Sequence, residues 1–176
     1  MKVLIVVDMQ HDFIDGSLGT EEAKKILPNV EKKIAQYRSC GEGIIFTRDT
    51  HEENYLETQE GKNLPVKHCI KGSKGHAIHS SLTVSESDIV VDKITFGSLD
   101  LIDVITNLQK NNQIEEIELI GLCTDICVIS NAMLIKAFLP EVKITVDASC
   151  CAGVTPESHN NALQSMKACQ INIIND

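Results

Sequence analysis

The stretch that decides the fold is Gly121-Leu122-Cys123-Thr124-Asp125-Ile126-Cys127-Val128. It follows a short apolar run at 117–122 that is broken only by Glu118 and is typical of a buried strand. Apolar residues then recur at helical spacing until Pro140. The stretch therefore predicts a strand, a tight glycine turn and the start of a helix, which Thr124 or Asp125 is expected to cap.

Cys127 falls in the first turn of this predicted helix. The positive end of the helix dipole favours a thiolate there, and the free N–H groups of the turn can hold an oxyanion. The alternative is that Cys127 is simply a small buried residue, which is the ordinary place of a free cysteine. A nucleophile at this position also needs a base, which another part of the chain has to supply.

Short apolar runs alternate with amphipathic segments along the rest of the chain. We predict strands at 3–7, 44–47, 89–92, 117–122, 142–146 and 171–174, and helices at 28–40, 99–109, 128–138 and 155–169. Such alternation predicts βαβ units, and hence a parallel sheet with helices on both faces. Residues 50–80 have no clear period, and so long a loop in a compact domain is usually functional or disordered. No repeat, linker or low-complexity segment divides the sequence, so we expect residues 1–176 to form a single domain.

The composition argues against several classes of partner. The chain has 176 residues and a formal net charge of −9, which disfavours nucleic acid and membranes as main partners. Its seven cysteines are an odd number without regular spacing, which favours a reduced compartment over a disulfide scaffold. The apolar run at 3–7 is too short for a signal sequence or a membrane span. We therefore expect a cytoplasmic protein.

Polar residues follow several of the predicted strands directly. Asp8, Asp49 and Lys93 stand at such strand ends, as does the turn that carries Cys127. The carboxyl ends of parallel strands share one edge of the sheet, where ligands bind. A carboxylate near a thiol can accept its proton, and a nearby lysine keeps that carboxylate ionised. Taken singly, Asp8 is also compatible with an ordinary solvated carboxylate, and Lys93 with a surface lysine.

A metal site is indicated in the region after the second predicted strand. Asp49 and His51 are two residues apart, so an extended backbone directs both side chains the same way. His68 lies in the long loop, and Glu60 stands between them. Carboxylate and imidazole ligands suit zinc, iron or manganese, and no cysteine pairs have the spacing of a structural zinc finger. The remaining histidines carry no assignment to this site: His11, His76, His79 and His159.

Seven pieces of the sequence, in order, resemble the isochorismatase-like cysteine hydrolases, and within them the nicotinamidases. The resemblance spans nearly the whole chain, and its most specific piece is Thr124-Asp125-Ile126-Cys127-Val128. The matching pieces are Asp8-Met9-Gln10-His11-Asp12-Phe13 with Gly16-Ser17-Leu18, Asp49-Thr50-His51, Leu64-Pro65-Val66-Lys67-His68-Cys69, Lys93-Ile94-Thr95-Phe96, Gly121 to Val128, Asp147-Ala148, and His159 with Ala162-Leu163.

This resemblance implies an α/β fold in three layers, α/β/α, around a six-stranded parallel sheet of Rossmann-like topology. It implies a catalytic triad of Asp8, Lys93 and Cys127. It also implies a cis peptide before Cys123, which would turn the backbone N–H groups of Cys123 and Cys127 toward the substrate oxygen.

The resemblance to nicotinamidases further implies that Asp49, His51 and His68 bind a divalent transition metal, with Glu60 as a fourth ligand. Zinc is the first expectation, with iron or manganese as alternatives, and such metals hold the pyridine nitrogen of the substrate. Phe13 and Phe96 are then candidate walls for a flat ring, and both are also compatible with core aromatics. The chain departs from many nicotinamidases in having no Trp, and in having Leu64 where an aromatic residue is common before the proline.

The implied activity is hydrolysis of nicotinamide, or a related small aromatic carboxamide, to the acid and ammonia through a thioester acyl-enzyme. This would be a step in pyridine nucleotide salvage. We expect a small-molecule amide as substrate and other copies of the chain, in a homo-oligomer, as partners. Two alternatives remain: a metal-independent amidase of the same family that acts on ureido or carbamoyl compounds, and a non-catalytic small-molecule-binding protein. Redox signalling through Cys123 and Cys127 is weakly supported, because their spacing is not Cys-x-x-Cys.

Overall fold

The computed structural model describes residues 1–176, which form six strands and six α-helices. A 3-10 turn (Tyr55–Glu57) and a π-helical turn (Thr124–Val128) complete the regular structure. In chain order the elements are β1 (Lys2–Val7), α1 (His11–Ile14), α2 (Glu21–Ser39), β2 (Gly43–Asp49), α3 (Gln59–Asn63), β3 (Ile89–Lys93), α4 (Leu99–Asn111), β4 (Glu116–Leu122), α5 (Ile129–Phe138), β5 (Lys143–Ala152), α6 (Pro156–Ala168) and β6 (Asn172–Ile174).

The six strands form one sheet in the order β3-β2-β1-β4-β5-β6, and every pair is parallel. The predicted six-stranded parallel sheet with three α/β/α layers is therefore confirmed. The strand order reverses between β1 and β4, which is the point where open sheets of this type bind ligands. Asp8 and the turn after β4 lie at that switch point.

β1 explains how the layers are held together. Because successive side chains of a strand point to opposite faces, its continuous apolar run fills both sides of the sheet. Val3, Ile5 and Val7 pack in the cluster that includes buried residues of α4, α5 and α6. Leu4 and Val6 pack in the second cluster, which is covered by α2.

Gly121 allows β4 to approach β1 at the switch point. Its φ is +116°, and a Cβ at this position would lie 2.1 Å from the carbonyl oxygen of Val7. Any larger residue would collide with the neighbouring backbone, so the packing requires glycine here, although Gly121 lies within β4 and pairs with Val7 rather than forming the predicted turn.

Two predicted boundaries are wrong, the start of α2 and the end of β5, which continues to Ala152 instead of ending at 146. α2 begins at Glu21, where Thr20 Oγ1 accepts a hydrogen bond from the Ala23 N–H, and Pro28 lies inside the helix rather than near its start. Burial of Ala23 and Ile26 against the sheet outweighs the hydrogen bond that the proline removes. The 50–80 region contains α3 and the 3-10 turn, so it is more ordered than its sequence indicated. None of the helices is long and apolar enough to cross a membrane.

Candidate active site

The ammonium group of Lys93 joins three of the predicted site residues. Lys93 ends β3 and is buried, with Nζ 2.7 Å from Asp8 Oδ2, 3.1 Å from Asp49 Oδ1 and 3.2 Å from Cys127 Sγ. Burial disfavours an ammonium, but the charges of Asp8, Cys127 and Asp49 hold the pKa of Lys93 well above its usual value. The lysine is therefore charged at neutral pH, and the residues scattered over the sequence meet at one edge of the sheet.

Asp8 directly follows β1 and is fully buried, with a positive φ of 48°. Its backbone N–H donates to the Thr47 carbonyl oxygen at 3.2 Å, and Thr47 Oγ1 donates to Asp8 Oδ1 at 2.6 Å. Burial raises the pKa of the Asp8 carboxyl and the Asp49 charge adds to this, while Lys93 opposes both. A carboxylate with a raised pKa is a better proton acceptor than an exposed one.

Cys127 lies in the π-helical turn and is buried. Burial raises the pKa of its thiol well above the usual value, and the charge of Asp8 raises it further, while Lys93 opposes both. Desolvation therefore opposes the stabilisation of a thiolate that the helix position was expected to provide. The proton of the thiol has to pass to a base, and Asp8, whose Oδ2 contacts the same Lys93 ammonium as Cys127 Sγ, is the neighbouring carboxylate.

The turn around Cys127 is fixed by contacts that its own sequence does not indicate. Neither Thr124 nor Asp125 caps the helix: Thr124 Oγ1 lies 2.7 Å from His159 Nδ1, and the Asp125 carboxylate accepts from the Val154 N–H at 3.1 Å. Both side chains thus tie the turn to α6 and the residues before it. The Leu122–Cys123 peptide is cis, as the family resemblance implied.

Asn131 holds the turn from the other side. Its Nδ2 donates to the carbonyl oxygens of Cys127 at 2.8 Å and Phe96 at 3.0 Å, and its Oδ1 accepts from the Ser98 N–H at 2.9 Å. Asn131 is fully buried, so these bonds are protected from water. The loop after β3 and the cysteine turn are therefore fastened together by one amide.

A second cluster adjoins Lys93 through Asp49. His51 Nε2 lies 2.9 Å from Asp49 Oδ2, and His68 Nε2 lies 3.5 Å from the same oxygen. Glu60 Oε1 is 3.5 Å from His51 Nε2 and 3.7 Å from His68 Nε2. One ligand atom from each of the four residues lies within 4.8 Å of the others. All four metal ligands proposed from the sequence are thus brought together.

These four residues fit a divalent transition metal. His51 Nε2 is buried without a hydrogen-bond partner of good geometry, although Asp49 Oδ2 is close to it. His68 Nδ1 lies 2.8 Å from the Val66 carbonyl oxygen, so Nδ1–H can donate there and leave the Nε2 lone pair facing the cluster. Burial favours a protonated Asp49, but His51, His68 and Lys93 hold the pKa of this carboxyl well below its usual range. Two imidazoles and a carboxylate suit zinc, iron or manganese.

Three residues that the sequence reasoning did not assign support this cluster. The Tyr55 ring packs on His51 and His68, with centroid distances of 4.5 and 4.9 Å. Gln10 clamps the backbone of Asp49, since its Nε2 donates to the Asp49 carbonyl oxygen and its Oε1 accepts from the Asp49 N–H. Asp12 Oδ2 accepts from the N–H of Cys69, directly after His68, at 2.7 Å. Gln10 and Asp12 belong to the motif at residues 8–13, but their partners are too distant in sequence to be inferred.

The two aromatic residues proposed as ring walls lie on different sides of the site. The Phe13 ring is 5.6 Å from the His68 ring, so it borders the four-residue cluster. Phe96 is 46% exposed, and Asn131 connects its backbone to Cys127. Contact of either ring with a substrate stays a prediction.

Fold and site together are those of a hydrolase with three α/β/α layers and a cysteine beside a candidate metal centre. The isochorismatase domain matches residues 2–175, and the chain therefore belongs to the isochorismatase family. It is a hydrolase of the nicotinamidase type, which is the enzyme class predicted from the sequence.

Individual relatives agree with this assignment at low identity. The chain is 23% identical to the nicotinamidase/pyrazinamidase of Mycobacterium tuberculosis, over 99% of this chain and 98% of that protein. A crystal structure of the pyrazinamidase of Pyrococcus horikoshii in complex with zinc superposes with a TM-score of 0.84 and 28% identity, covering 98% of both chains. The chain is also 27% identical to an Arabidopsis thaliana protein named a probable inactive nicotinamidase, over 93% of this chain and 87% of that protein.

Proposed function

We propose that the protein is a cysteine amidohydrolase that converts nicotinamide, or a related small aromatic carboxamide, to the acid and ammonia through a thioester. The observation that carries this proposal is the meeting of Asp8 and Cys127 at the ammonium of Lys93, which also contacts Asp49 of the candidate metal cluster. The candidate nucleophile, its base and one of the metal ligands thus all contact the Lys93 ammonium. The names of the relatives, a nicotinamidase/pyrazinamidase and a pyrazinamidase with zinc, support the same substrate class.

In the first half-reaction Asp8 removes the proton of the Cys127 thiol, and the sulfur attacks the amide carbon. The raised pKa of Asp8 favours this transfer, and its bond from Thr47 keeps the carboxylate oriented. The N–H groups of Cys123 and Cys127 hold the oxyanion, an interaction worth about 3–4 kcal/mol per donor. The C–N bond then breaks, and Asp8 returns the proton to the departing nitrogen, which leaves as ammonia.

In the second half-reaction Asp8 removes a proton from water, whose oxygen attacks the thioester carbon. The C–S bond breaks, the acid is released, and the sulfur is reprotonated from Asp8. Lys93 stays charged throughout, because three anionic or ionisable partners surround it. Its charge offsets the negative charge that moves between Asp8 and Cys127.

Asp49, His51 and His68, with Glu60 as the fourth ligand, would hold the metal. When bound there, a zinc, iron or manganese ion supplies a Lewis acid that binds the ring nitrogen of the substrate. Phe13, beside His68, and Phe96, beside the cysteine turn, would border the ring.

The two alternatives are less well supported. An amidase without a metal has no need of four ligand-type residues around a buried His51 nitrogen. A protein that only binds a metabolite has no need of the complete Asp8, Lys93 and Cys127 constellation. The presence of both the catalytic constellation and the metal cluster therefore favours a nicotinamidase.

The deciding experiment measures acid and ammonia from nicotinamide and pyrazinamide, with a carbamoyl compound in parallel. We expect equimolar acid and ammonia from an aromatic carboxamide, loss of turnover after treatment with a chelator, and recovery when Zn²⁺ is added back. Turnover of the carbamoyl compound alone, indifferent to chelator, would support the metal-independent amidase. Saturable binding of nicotinamide without any product would support the non-catalytic protein.

A further inference from the structure

A second cluster of metal-ligand side chains lies outside the active site, formed by His11, Asp15 and His79. Sequence alone gave no reason to connect these residues, which come from α1, its C-terminal end and the long loop before β3. We propose that this triad binds a divalent transition metal, of which Zn²⁺ is the best match. This proposal does not depend on the proposed function.

The distances in the triad suit such an ion. His11 Nδ1 lies 2.9 Å from Asp15 Oδ1, and His79 Nε2 lies 3.7 Å from Asp15 Oδ2. Two ligands at ordinary Zn–N and Zn–O lengths in a tetrahedron are about 3.3 Å apart, so the two distances lie on either side of that value. One ligand atom from each residue is within 4.8 Å of the other two. Small shifts of the side chains are therefore enough to enclose the ion.

The backbone that carries the two histidines is already ordered. Gln10 and Ile78 form an antiparallel bridge, in which the His11 N–H donates to the Ala77 carbonyl oxygen and the His79 N–H donates to the Met9 carbonyl oxygen. The imidazole centroids are consequently 4.6 Å apart. Little conformational freedom remains to be lost when a metal binds, which favours affinity.

The hydrogen bonds of the His79 ring also suit a metal ligand. His79 Nδ1 lies 3.0 Å from Ser81 Oγ, which can accept an Nδ1–H bond and leave the Nε2 lone pair facing Asp15. The Ser81 N–H also approaches Nδ1 at 3.3 Å, a bond that belongs to the other tautomer and would be given up on metal binding.

The triad opens to solvent on one side. The side chains of His11 and His79 are 11% and 14% exposed, while that of Asp15 is 45% exposed. An ion can enter past Asp15 and keep water in its remaining positions, which is typical of a site with three protein ligands. Outside the triad, the charge of Lys74 acts on Asp15 and that of Glu31 acts on His79.

A bound ion would join α1 to the loop that carries His79. Since α1 has only four residues and no side-chain cap, we infer that the ion stabilises this part of the molecule. A ligand that binds the folded state alone raises the melting temperature.

The test uses the full chain with His51→Ala and His68→Ala, so that the active-site cluster is disabled. We expect calorimetric titration with Zn²⁺ to give one equivalent in this background, with a higher melting temperature at saturation. Adding Asp15→Ala should weaken that binding at least tenfold and remove the stabilisation, whereas Asp100→Ala on α4 should leave both unchanged. The Asp15 side chain is 45% exposed, so we expect its replacement to leave the fold intact, and circular dichroism checks this.

Two results would overturn the proposal. One is the absence of Zn²⁺ binding in the background variant. The other is binding that survives both Asp15→Ala and His79→Ala, which would assign the ion to other groups, such as the exposed thiols of Cys40 and Cys169. Neither result bears on amide turnover by the unmodified chain, so failure of this proposal is distinguishable from failure of the proposed function.

Discussion

Asp49 Oδ1 lies 3.1 Å from Lys93 Nζ, while the other oxygen of the same carboxylate lies 2.9 Å from His51 Nε2. One carboxylate therefore contacts both halves of the site, the cysteine with its base and the cluster of metal ligands. Gln10 holds the backbone of Asp49 on both its N–H and its carbonyl oxygen. This junction explains how residues from four different strands form one centre.

Replacing Lys93 by Met should move the pH dependence of kcat/KM as well as lower it. Lys93 lowers the pKa of Asp8 against the effect of burial, so its loss raises that pKa. The active form has Asp8 ionised, and this form is lost as pH falls through the pKa. The acid limb should therefore shift to higher pH, with a rate loss of about 10²–10⁴-fold, the range for impaired general base catalysis.

The control for this experiment is Lys110→Met, on the exposed face of α4. It should retain both the rate and the pH profile. An acid limb that stays in the same place in Lys93→Met would mean that the lysine does not act on the base.

Replacing His68 by Ala should weaken metal binding by more than about 100-fold, which is the upper end for loss of a residue that merely supports a ligand. The matched change His159→Ala should have no such effect, because the His159 ring bonds to Thr124 and is not in the metal cluster. Glu60→Gln should have a smaller effect than His68→Ala, since Glu60 is the most exposed of the four residues. Competition with a chromophoric chelator measures the affinities. Equal affinities for His68→Ala and the unmodified chain would remove His68 from the ligand set.

Glu116 should make stability depend on pH in the acid range. Although burial favours its protonated form, bonds from Lys143, Thr145 and Lys2 lower the pKa of Glu116 from the ordinary 4.5 to about 2. Between these values the unfolded state binds more protons, so the free energy of unfolding rises with pH. The contribution is complete above about pH 4.5 and is lost as pH falls through about 2. Denaturant unfolding at several pH values should show that the free energy of unfolding rises less steeply with pH in Glu116→Gln than in the unmodified chain.

Glu115→Gln is the control for that measurement, because the neighbouring Glu115 side chain is 68% exposed. In Glu115→Gln the free energy of unfolding should rise with pH as steeply as in the unmodified chain. If the free energy of unfolding had the same pH dependence in Glu116→Gln and Glu115→Gln, the bonds from Lys143, Thr145 and Lys2 would not favour the ionised Glu116 carboxylate.

Local patterns predicted the strands and the edge at which Asp8, Asp49, Lys93 and Cys127 meet. This succeeded because a central parallel strand is a continuous apolar run and the polar residue after it is unambiguous. The start of α2 was missed because burial of its first turns outweighs the effect of Pro28, and burial depends on tertiary packing.

The state of the Cys127 thiol and the supporting residues could not be predicted for a related reason. The position of Cys127 near a helix start can be predicted from neighbouring residues in the sequence. Its burial results from packing against elements that are distant in the sequence. Gln10 contacts Asp49 across 39 residues, and Asn131 contacts Phe96 across 35. No spacing rule links such pairs, so their roles became visible only with the fold.

The most direct test of the account is to look for a thioester on Cys127. The protein is mixed with nicotinamide, quenched with acid and analysed by mass spectrometry, with the buried Cys150→Ala variant as the control. We expect a nicotinoyl adduct on Cys127 in the unmodified chain and the control, and none in Cys127→Ala, whose kcat should fall by about 10⁴–10⁶-fold. A Cys127→Ala protein that folds and retains turnover within tenfold of the unmodified chain would contradict the covalent mechanism.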